Sequence, residues 1–443
     1  PAALHHRQRG PPPEGGARHE KRTHPASALV LIDGVEGDLN ILDPADIESF
    51  TILKDASSTA VYGVRGANGV VLVTTKRGKS GKLNISVKSN VGLSYSARNP
   101  EYVDGYTYAQ LANEASVVRG GRPVYSNAEL NLIETGLDPD LYPNVNWRDV
   151  MLKDYVWNNQ HHISINGGGT NARYYMSVGL QHKDAIYKQD KGIKNYDNSV
   201  GYNKYNFRAN IDANLTKSLT FTLGVSGRIE KRDSPRYSAN PDDWHNVPQQ
   251  VIRALPYVPA TYEYEGKVYN VSTPTASSPV APLASINESG YSKSNYSYIQ
   301  SNFSLKYDAP WLKGLSFKFQ GAYDLTYNFS KILSNPYEVM IMNLPTIEST
   351  SLTYYKGTDA SGNSISLSES ASRGYTFTTQ SSVTYDNKFG KHTVGAMFLA
   401  ETRENKSNAL SATGYGLDFI QLDELNQITN KTGNGAEKFP SIG

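Results

Sequence analysis

At 443 residues the chain is long enough for two or three domains or one large barrel, and 44 basic against 42 acidic residues exclude a strongly cationic, nucleic-acid-binding balance. The absence of cysteine excludes a disulfide framework, a thiolate nucleophile and any cysteine-ligated metal site. Tyrosine outnumbers phenylalanine 31 to 12, mean hydropathy is −0.51, and no run of about 18 apolar residues offers a transmembrane helix.

What remains is a large soluble β protein or a transmembrane β-barrel, whose apolar face falls on every second residue and escapes hydropathy averaging. Residues 1–28 show neither an apolar signal-peptide core nor alternation. They carry four of the nine histidines (His5, His6, His19 and His24), but the clustered prolines and charges read as a disordered or non-native leader rather than a metal tract.

From Leu29 the texture changes. "ALVLIDG" is a buried-type strand ending in the turn pair Asp33-Gly34. "DPADIES" starts a helical turn, with Asp43 as cap, Pro44 at the first helical position and Asp46 at the positive end. "SFTILK" reads as a strand. Asp55 caps a brief helix that Gly63 can stop, Asn68-Gly69 makes a tight turn, and "VVLVTT", Val70 to Thr75, is a buried strand. This is a mixed α/β unit.

Beyond Gly81 the period becomes two. Leu83, Ile85, Val87, Val91, Leu93 and Tyr95 share one face, and so do Phe207, Ala209, Ile211 and Ala213. The clearest case runs from Leu315 through Phe317, Phe319, Tyr323, Leu325 and Tyr327 to Phe329, with Ser316, Lys318, Gln320, Asp324 and Thr326 on the other face. About nine such strands are countable. They are long against a usual length of about five or six residues. Their connections alternate between tight turns and long polar stretches near 97–157, 186–204, 231–295, 330–372 and 404–443. Long strands with that alternation favour a transmembrane barrel over a sandwich. Tyrosines at strand ends (Tyr95, Tyr307, Tyr327 and Tyr385) suit an aromatic girdle, or a half-exposed sheet position.

The glycines of "YGVRGANG" invite a nucleotide-binding reading, which fails on spacing. "TKRGKS" supplies Gly78-Lys79-Ser80, but Val73 stands where a Walker A loop needs its first glycine. Gly63, Gly66 and Gly69 run from a helix into a strand, the reverse of a Rossmann fingerprint. What is left is mechanical: a tight reversal that lays Val70–Thr75 back on "SFTILK".

Over residues 29–81, "VLIDG", "DPADIESFTILKDAS" and "YGVRGANGVVLVTTKRG" resemble, in order and spacing, the second half of the plug domain of SusC/RagA-type TonB-dependent outer-membrane transporters. Residues 82–443 resemble the first part of that family's barrel, best at "WRDVMLKDYVWNNQHHISINGGGTNARYYMSVGL". The resemblance implies a transmembrane antiparallel β-barrel, here partial, with a small α/β plug inside what is a 22-stranded cylinder in the family. It implies three regions: the leader 1–28, the plug half 29–81 and the barrel part 82–443. It further implies outer-membrane import of oligosaccharides or peptides with a SusD-like surface lipoprotein as lid, outer-membrane lipid around it and TonB, energised by ExbB and ExbD, as the motor. The signal peptide, the TonB box and the first plug half of the family pattern are not found, and residues 1–27 suggest a misread or truncated gene start.

The plug residues that carry the resemblance are Asp33, Gly34, Lys54, Asp55, Tyr62, Gly63, Arg65, Gly66, Asn68 and Gly69. Lys54, Asp55 and Arg65 are expected to meet the inner barrel wall. Sugar rings stack on aromatic faces, so Trp157, Trp244, Tyr262, Tyr264, Tyr354 and Tyr355 in the long connections are candidate substrate contacts; loop self-packing and lid contact compete for each. His161, His162, His245 and His392 show no metal or catalytic spacing, and adjacent His161 and His162 on a strand point to opposite faces. No cofactor, no metal and no enzymatic activity are expected. The alternative is a soluble or secreted β-rich glycan-binding or adhesin protein, its apolar faces buried sheet against sheet.

Overall fold

The computed structural model describes residues 28–55, 59–96, 101–189, 196–236, 247–272, 281–343, 353–358, 364–417, 420, 423–428 and 430–442. Two compact units divide the chain. One takes the residues up to Leu39 and Ile47–Thr75; the other takes Asn40–Asp46 and Lys76–Gly443.

The first unit is a four-stranded sheet of β1 (Leu29–Ile32), β2 (Val35–Glu36), β3 (Ile47–Leu53) and β4 (Val70–Thr75), in the order β2-β1-β4-β3. Asp33 and Gly34 both take positive φ, 50° and 90°, as a two-residue hairpin turn of the primed type demands. Strand β4 is central, parallel to β1 and antiparallel to β3, so its valines are covered on both sides. Leu31, Ile32, Val35, Val70, Val71 and Val73 form the core. The link from β3 to β4 is the 3-10 segment Ala60–Gly66, broken at Gly63, whose φ of 58° and ψ of −146° no branched residue would hold without strain. Gly69, at φ 93°, then turns the chain into β4.

The second unit is dominated by a ten-stranded antiparallel sheet. Its strands are β5 (Gly81–Ser94), β6 (Val156–Gly168), β7 (Ala172–Asp184), β8 (Gly201–Asn214), β9 (Leu219–Pro235), β12 (Gly290–Asp308), β13 (Leu315–Ser334), β16 (Ser366–Phe389), β17 (His392–Tyr415) and β18 (Asn430–Ile442). Each pairs with its neighbour in chain order, from β5 at one edge to β18 at the other. Sequence periodicity counts about nine of these strands; the tenth, β18, lies in a stretch read as a connection. The strands also run further into the long connections than the alternation does, β13 to Ser334 and β17 to Tyr415. Once both faces of a strand are polar the alternation disappears, while the backbone ladder continues.

The polarity of this sheet is inverted relative to a soluble protein. On β13, Phe319 and Tyr323 are 43% and 39% exposed, whereas Gln320 and Asp324 are 5% and 6% exposed. The same parity holds on β7, β8 and β12. Met176, Val178, Phe207, Phe303 and Leu305 are exposed, and Ser177, Asn206, Arg208, Gln300 and Asn302 on the other face are buried. A sandwich would bury the apolar row. Charged and amide side chains are turned away from that row instead, as in a barrel wall with lipid outside. No helix among the described residues is long and apolar enough to cross a membrane; crossing falls to the strands.

Two outward glycines are covered by aromatic rings from the neighbouring strand. Gly227 lies opposite Phe207 and Gly321 opposite Phe303, and a Cβ on Gly321 would come within 2.6 Å of the Phe303 ring. Gly321→Val is expected to displace that ring and destabilise the sheet by about 1–3 kcal/mol, an overpacking cost. Urea unfolding of the complete protein, with Phe303→Ala/Gly321→Val as the relieving double variant, measures it.

Between β9 and β16 the connections fold into a second sheet, β10 (Thr261–Tyr264), β11 (Lys267–Ser272), β14 (Glu338–Asn343) and β15 (Thr353–Thr358), in the order β10-β11-β14-β15. Central β14 is apolar on both faces. Val339 and Ile341 pack with Ala281, Ala284 and Tyr337, while Met340 and Met342 pack with Tyr257, Val258, Tyr269 and Val271. Helices α1 (Gly105–Val118), α2 (Asn127–Thr135), α3 (Trp147–Met151), α4 (Val247–Arg253) and α5 (Pro282–Asn287) accompany it. Asp104 caps α1, and Ser126 with Glu129 closes a capping box on α2.

Candidate functional site: the polar inner face and its buried clamp

Strands β6, β7 and β8 each turn a polar residue inward, His162, Tyr175 and Arg208, staggered along the register. All three converge on Asp46, the last residue of the short strap Asn40–Asp46. Tyr175 donates its hydroxyl to Asp46 Oδ1 at 2.7 Å, His162 Nε2 lies 2.9 Å from the same oxygen, and Arg208 Nε stands 3.8 Å from Oδ2. A carboxylate only accepts, so His162 carries its proton on Nε2. Every member is buried.

A second set of contacts continues the clamp along β8. The Lys76 amide donates to the Asp46 carbonyl at 2.8 Å, and Lys76 Nζ donates to the Ala45 carbonyl at 2.7 Å. Asn210 Nδ2 donates to the Lys76 carbonyl at 2.7 Å, and Arg77 pairs with Asp212 at 2.6 Å. Gly78 permits this approach: a Cβ there would lie 2.2 Å from the Tyr174 amide nitrogen. The strap and the segment Lys76–Gly78 ahead of β5 are therefore fastened to each other and to the wall by hydrogen bonds, several of them charge-assisted, in a low-dielectric setting where their loss is costly.

Sequence reasoning treated Asp46 as a helix-terminus acid and His162 as one of several scattered histidines. The 3-10 turn Pro44–Asp46 does form, with the Ala45 amide donating to Asp43 Oδ1 at 2.9 Å. The Asp46 side chain, however, serves the wall. The opposite facing of the two histidines is as expected, since His161 meets Ser89 at 2.9 Å while His162 turns to Asp46.

The plug-motif residues fall within the first unit. Asp33 accepts from the Thr75 amide at 3.0 Å and from the Thr75 hydroxyl at 2.6 Å, tying the β1–β2 turn to the end of β4. Arg65 forms an ion pair with Glu36. The Asp55 carbonyl accepts from the Thr59 amide at 3.0 Å, while Lys54 and Asn68 are exposed and Tyr62 is half-buried. Gly66 is packed tightly, a Cβ there falling 2.9 Å from the Thr59 carbonyl oxygen.

Residues 15–70 match the family described as the TonB-dependent receptor plug domain. Among curated proteins, the chain is 34% identical over 192 residues to TonB-dependent receptor P26 of Formosa agariphila, covering 43% of this chain and 17% of that receptor. It is 35% identical over 159 residues to TonB-dependent receptor SusC of Bacteroides thetaiotaomicron, covering 35% of this chain and 14% of SusC. Among solved structures, a chain of the RagAB peptide importer in its closed-closed state superposes with a TM-score of 0.67 at 19% identity, covering 93% of this chain and 46% of that one; that likeness speaks for the fold.

The plug match and these relatives support a SusC/RagA-type TonB-dependent receptor. The chain spans about half of the superposed RagAB chain, and the relatives it matches are receptors rather than enzymes. The ten-stranded sheet is accordingly part of an outer-membrane β-barrel wall, and the inverted polarity of its strands follows from lipid on the outside.

The aromatic candidates scatter. Trp157 lies not in a connection but on β6, opposite Leu93, with the outward parity of Ile163, where an amphipathic ring suits the lipid boundary. Tyr262 and Tyr264 lie on edge strand β10, the first half-buried against the Tyr257 cluster and the second exposed. Tyr354 and Tyr355 lie on β15, opposite Met342 and Ile341, and Trp244 lies outside the described residues. The aromatic centre of the connections is one that periodicity did not single out: Tyr108, Tyr125 and Tyr257. The Tyr108 and Tyr257 rings are 4.7 Å apart, and burial pushes the Tyr125 hydroxyl up to about 12 and Tyr257 higher still. Beside them opens a cavity of about 1350 Å³, lined by Tyr102, Asp104, Trp147, Arg148, Ile252 and Arg253 among others. Trp147 is fixed there by its indole N–H, which donates to the Leu255 carbonyl at 2.9 Å.

Proposed function

We propose that the receptor of which this chain is a part imports oligosaccharides, or peptides, through the outer membrane, with a SusD-like surface lipoprotein as lid and TonB supplying the energy. The observation that supports this most is the inverted polarity of the wall strands in a chain that also holds a plug module. An inward face of Ser, Asn, Gln, Arg and Asp gives a hydrophilic cargo a route that needs no desolvation of its hydroxyls or amides. A plug makes that route conditional on work done from the periplasm. Oligosaccharide stands first by resemblance to the SusC type; the peptide importer RagAB keeps peptide in view. Tyr262 and Tyr264 are candidate cargo contacts in this reading, with Trp244, Tyr354 and Tyr355 as further candidates, while Trp157, on the outward face of β6, is set aside. Plug residues Asp33 to Gly69 would hold the module's shape while it is displaced.

The test is uptake by cells carrying or lacking the complete gene, offered fluorescent oligosaccharide pools and peptide pools in parallel, with and without TonB. A TonB-dependent signal with one pool, lost on deletion, is expected. Equal uptake of both pools by the deletion strain would remove the import reading.

A further inference from the structure

We propose that the short-turn end of the wall is a docking surface for anionic phospholipid headgroups. The registers put one set of strand ends together: Gly81 with Gly168, Ala172 with Ala213, Leu219 with Tyr307 and Leu315 with Tyr385. On and just beyond these strand ends stand Lys79, Lys82, Lys217, Lys313, Lys388 and Lys391. All six are exposed, and none makes an ion pair among the described residues.

Acid is scarce at this end. Asp212 is taken by Arg77, Asp308 is taken by Lys306 at 2.9 Å, and Asp386 is the exposed exception. At the long-connection end three lysines are held in ion pairs. Lys293 meets Asp197 at 3.0 Å, Lys331 meets Glu369 at 3.3 Å, and Lys267 meets Glu338 at 3.2 Å.

The short-turn rim is continuous with the lipid-facing band. Leu215, Tyr307, Leu312 and Phe389 are exposed beside the lysines, and Trp311, at the tip of the β12–β13 turn, is 68% exposed. An exposed indole with ammonium groups around it, at the foot of an apolar band, is the arrangement that sits at headgroup depth: the ring lies at the boundary and the lysine stems lie along apolar surface. In barrels of this kind the short turns face the periplasmic side, so the partner is a phosphodiester lipid of that leaflet carrying a net negative charge. A purely solvated basic rim would need no aromatic or apolar residue interleaved with its lysines. Each lysine close to an anionic surface is worth about fivefold in partitioning, decaying within a Debye length.

The test uses the complete receptor in detergent, titrated separately with phosphatidylglycerol and phosphatidylcholine, with bound lipids counted by native mass spectrometry. Phosphatidylglycerol is expected to be retained about tenfold over phosphatidylcholine at low salt, falling towards parity in 0.5 M salt. Lys217→Gln/Lys313→Gln/Lys388→Gln/Lys391→Gln should lose that preference while keeping the heat-modifiable gel shift of a folded barrel. Lys267→Gln/Lys293→Gln, at the other end, should keep it. An unchanged preference in the quadruple variant, or complete displacement of lipid by inorganic phosphate at matched ionic strength, would overturn the proposal.

Discussion

Asp46→Ala is expected to destabilise the clamp by about 3–5 kcal/mol, the usual consequence of removing one partner from a buried charged network. The loss is large because the carboxylate is shared: Tyr175, His162 and Arg208 all converge on it. Without it, a buried guanidinium and two buried donors face an apolar methyl group. Asp46→Asn keeps an acceptor for the Tyr175 hydroxyl but not the charge, so it should fall between. Asp46→Ala/Arg208→Met removes the cation as well and should recover part of the stability, giving a coupling energy above 0.5 kcal/mol in a double-mutant cycle. Denaturant unfolding of the complete receptor gives the energies, and entry of a large antibiotic into cells reports whether the strap has let go. Asp386→Ala, at the exposed end of β16, is the control. If its effect equalled that of Asp46→Ala, the clamp would have no energetic standing.

The contrast between what was legible and what was not runs along one physical line. The strands between Leu29 and Thr75 could be read because each is specified locally, whereas the helix expected behind an Asp55 cap forms instead as the 3-10 segment Ala60–Gly66 behind Thr59, with no side-chain cap. Asp33-Gly34 fixes a hairpin turn, Asn68-Gly69 leads the chain into β4, and a β-branched run needs cover on both sides. The outward row Phe317, Phe319, Tyr323 and Tyr327 was legible because lipid imposes a strict period of two. The clamp was not, because Asp46 and His162 are 116 positions apart and neither carries a local signature of its partner. The connections were partly legible and were underread. Ser126-x-x-Glu129 is a capping-box pattern in a stretch taken as polar loop, and the buried run "VMIM" of β14 announces a strand covered on both faces. What no local pattern could supply is that β11 and β14, from two different connections, lie side by side in parallel. Non-local pairing of that kind is decided by tertiary packing, here the methionines and valines of β14 against Tyr257, Tyr269 and Tyr337.

Phe319→Arg is expected to cost about 2–4 kcal/mol, because a charge on the lipid side is most expensive near the bilayer midplane. Phe319 lies four residues above the start of β13. At about 3.4 Å per residue and a tilt near 45°, that places it about 10 Å into an apolar band about 25 Å tall. Loss of the Phe303–Phe319 ring contact, with centroids 5.8 Å apart, adds about 0.5–1.5 kcal/mol. Val268→Arg makes the comparison decisive. Val268, on β11 of the loop sheet, is more exposed than Phe319, 62% against 43%, yet it meets water, and an arginine there should change stability by less than about 0.5 kcal/mol. Exposure alone would rank the two substitutions the other way; only the identity of the surrounding solvent separates them. Folding of the complete receptor into lipid vesicles, followed by the heat-modifiable shift and by urea titration, measures both. Equal tolerance of the two arginines would mean that the outward row of β13 does not face hydrocarbon.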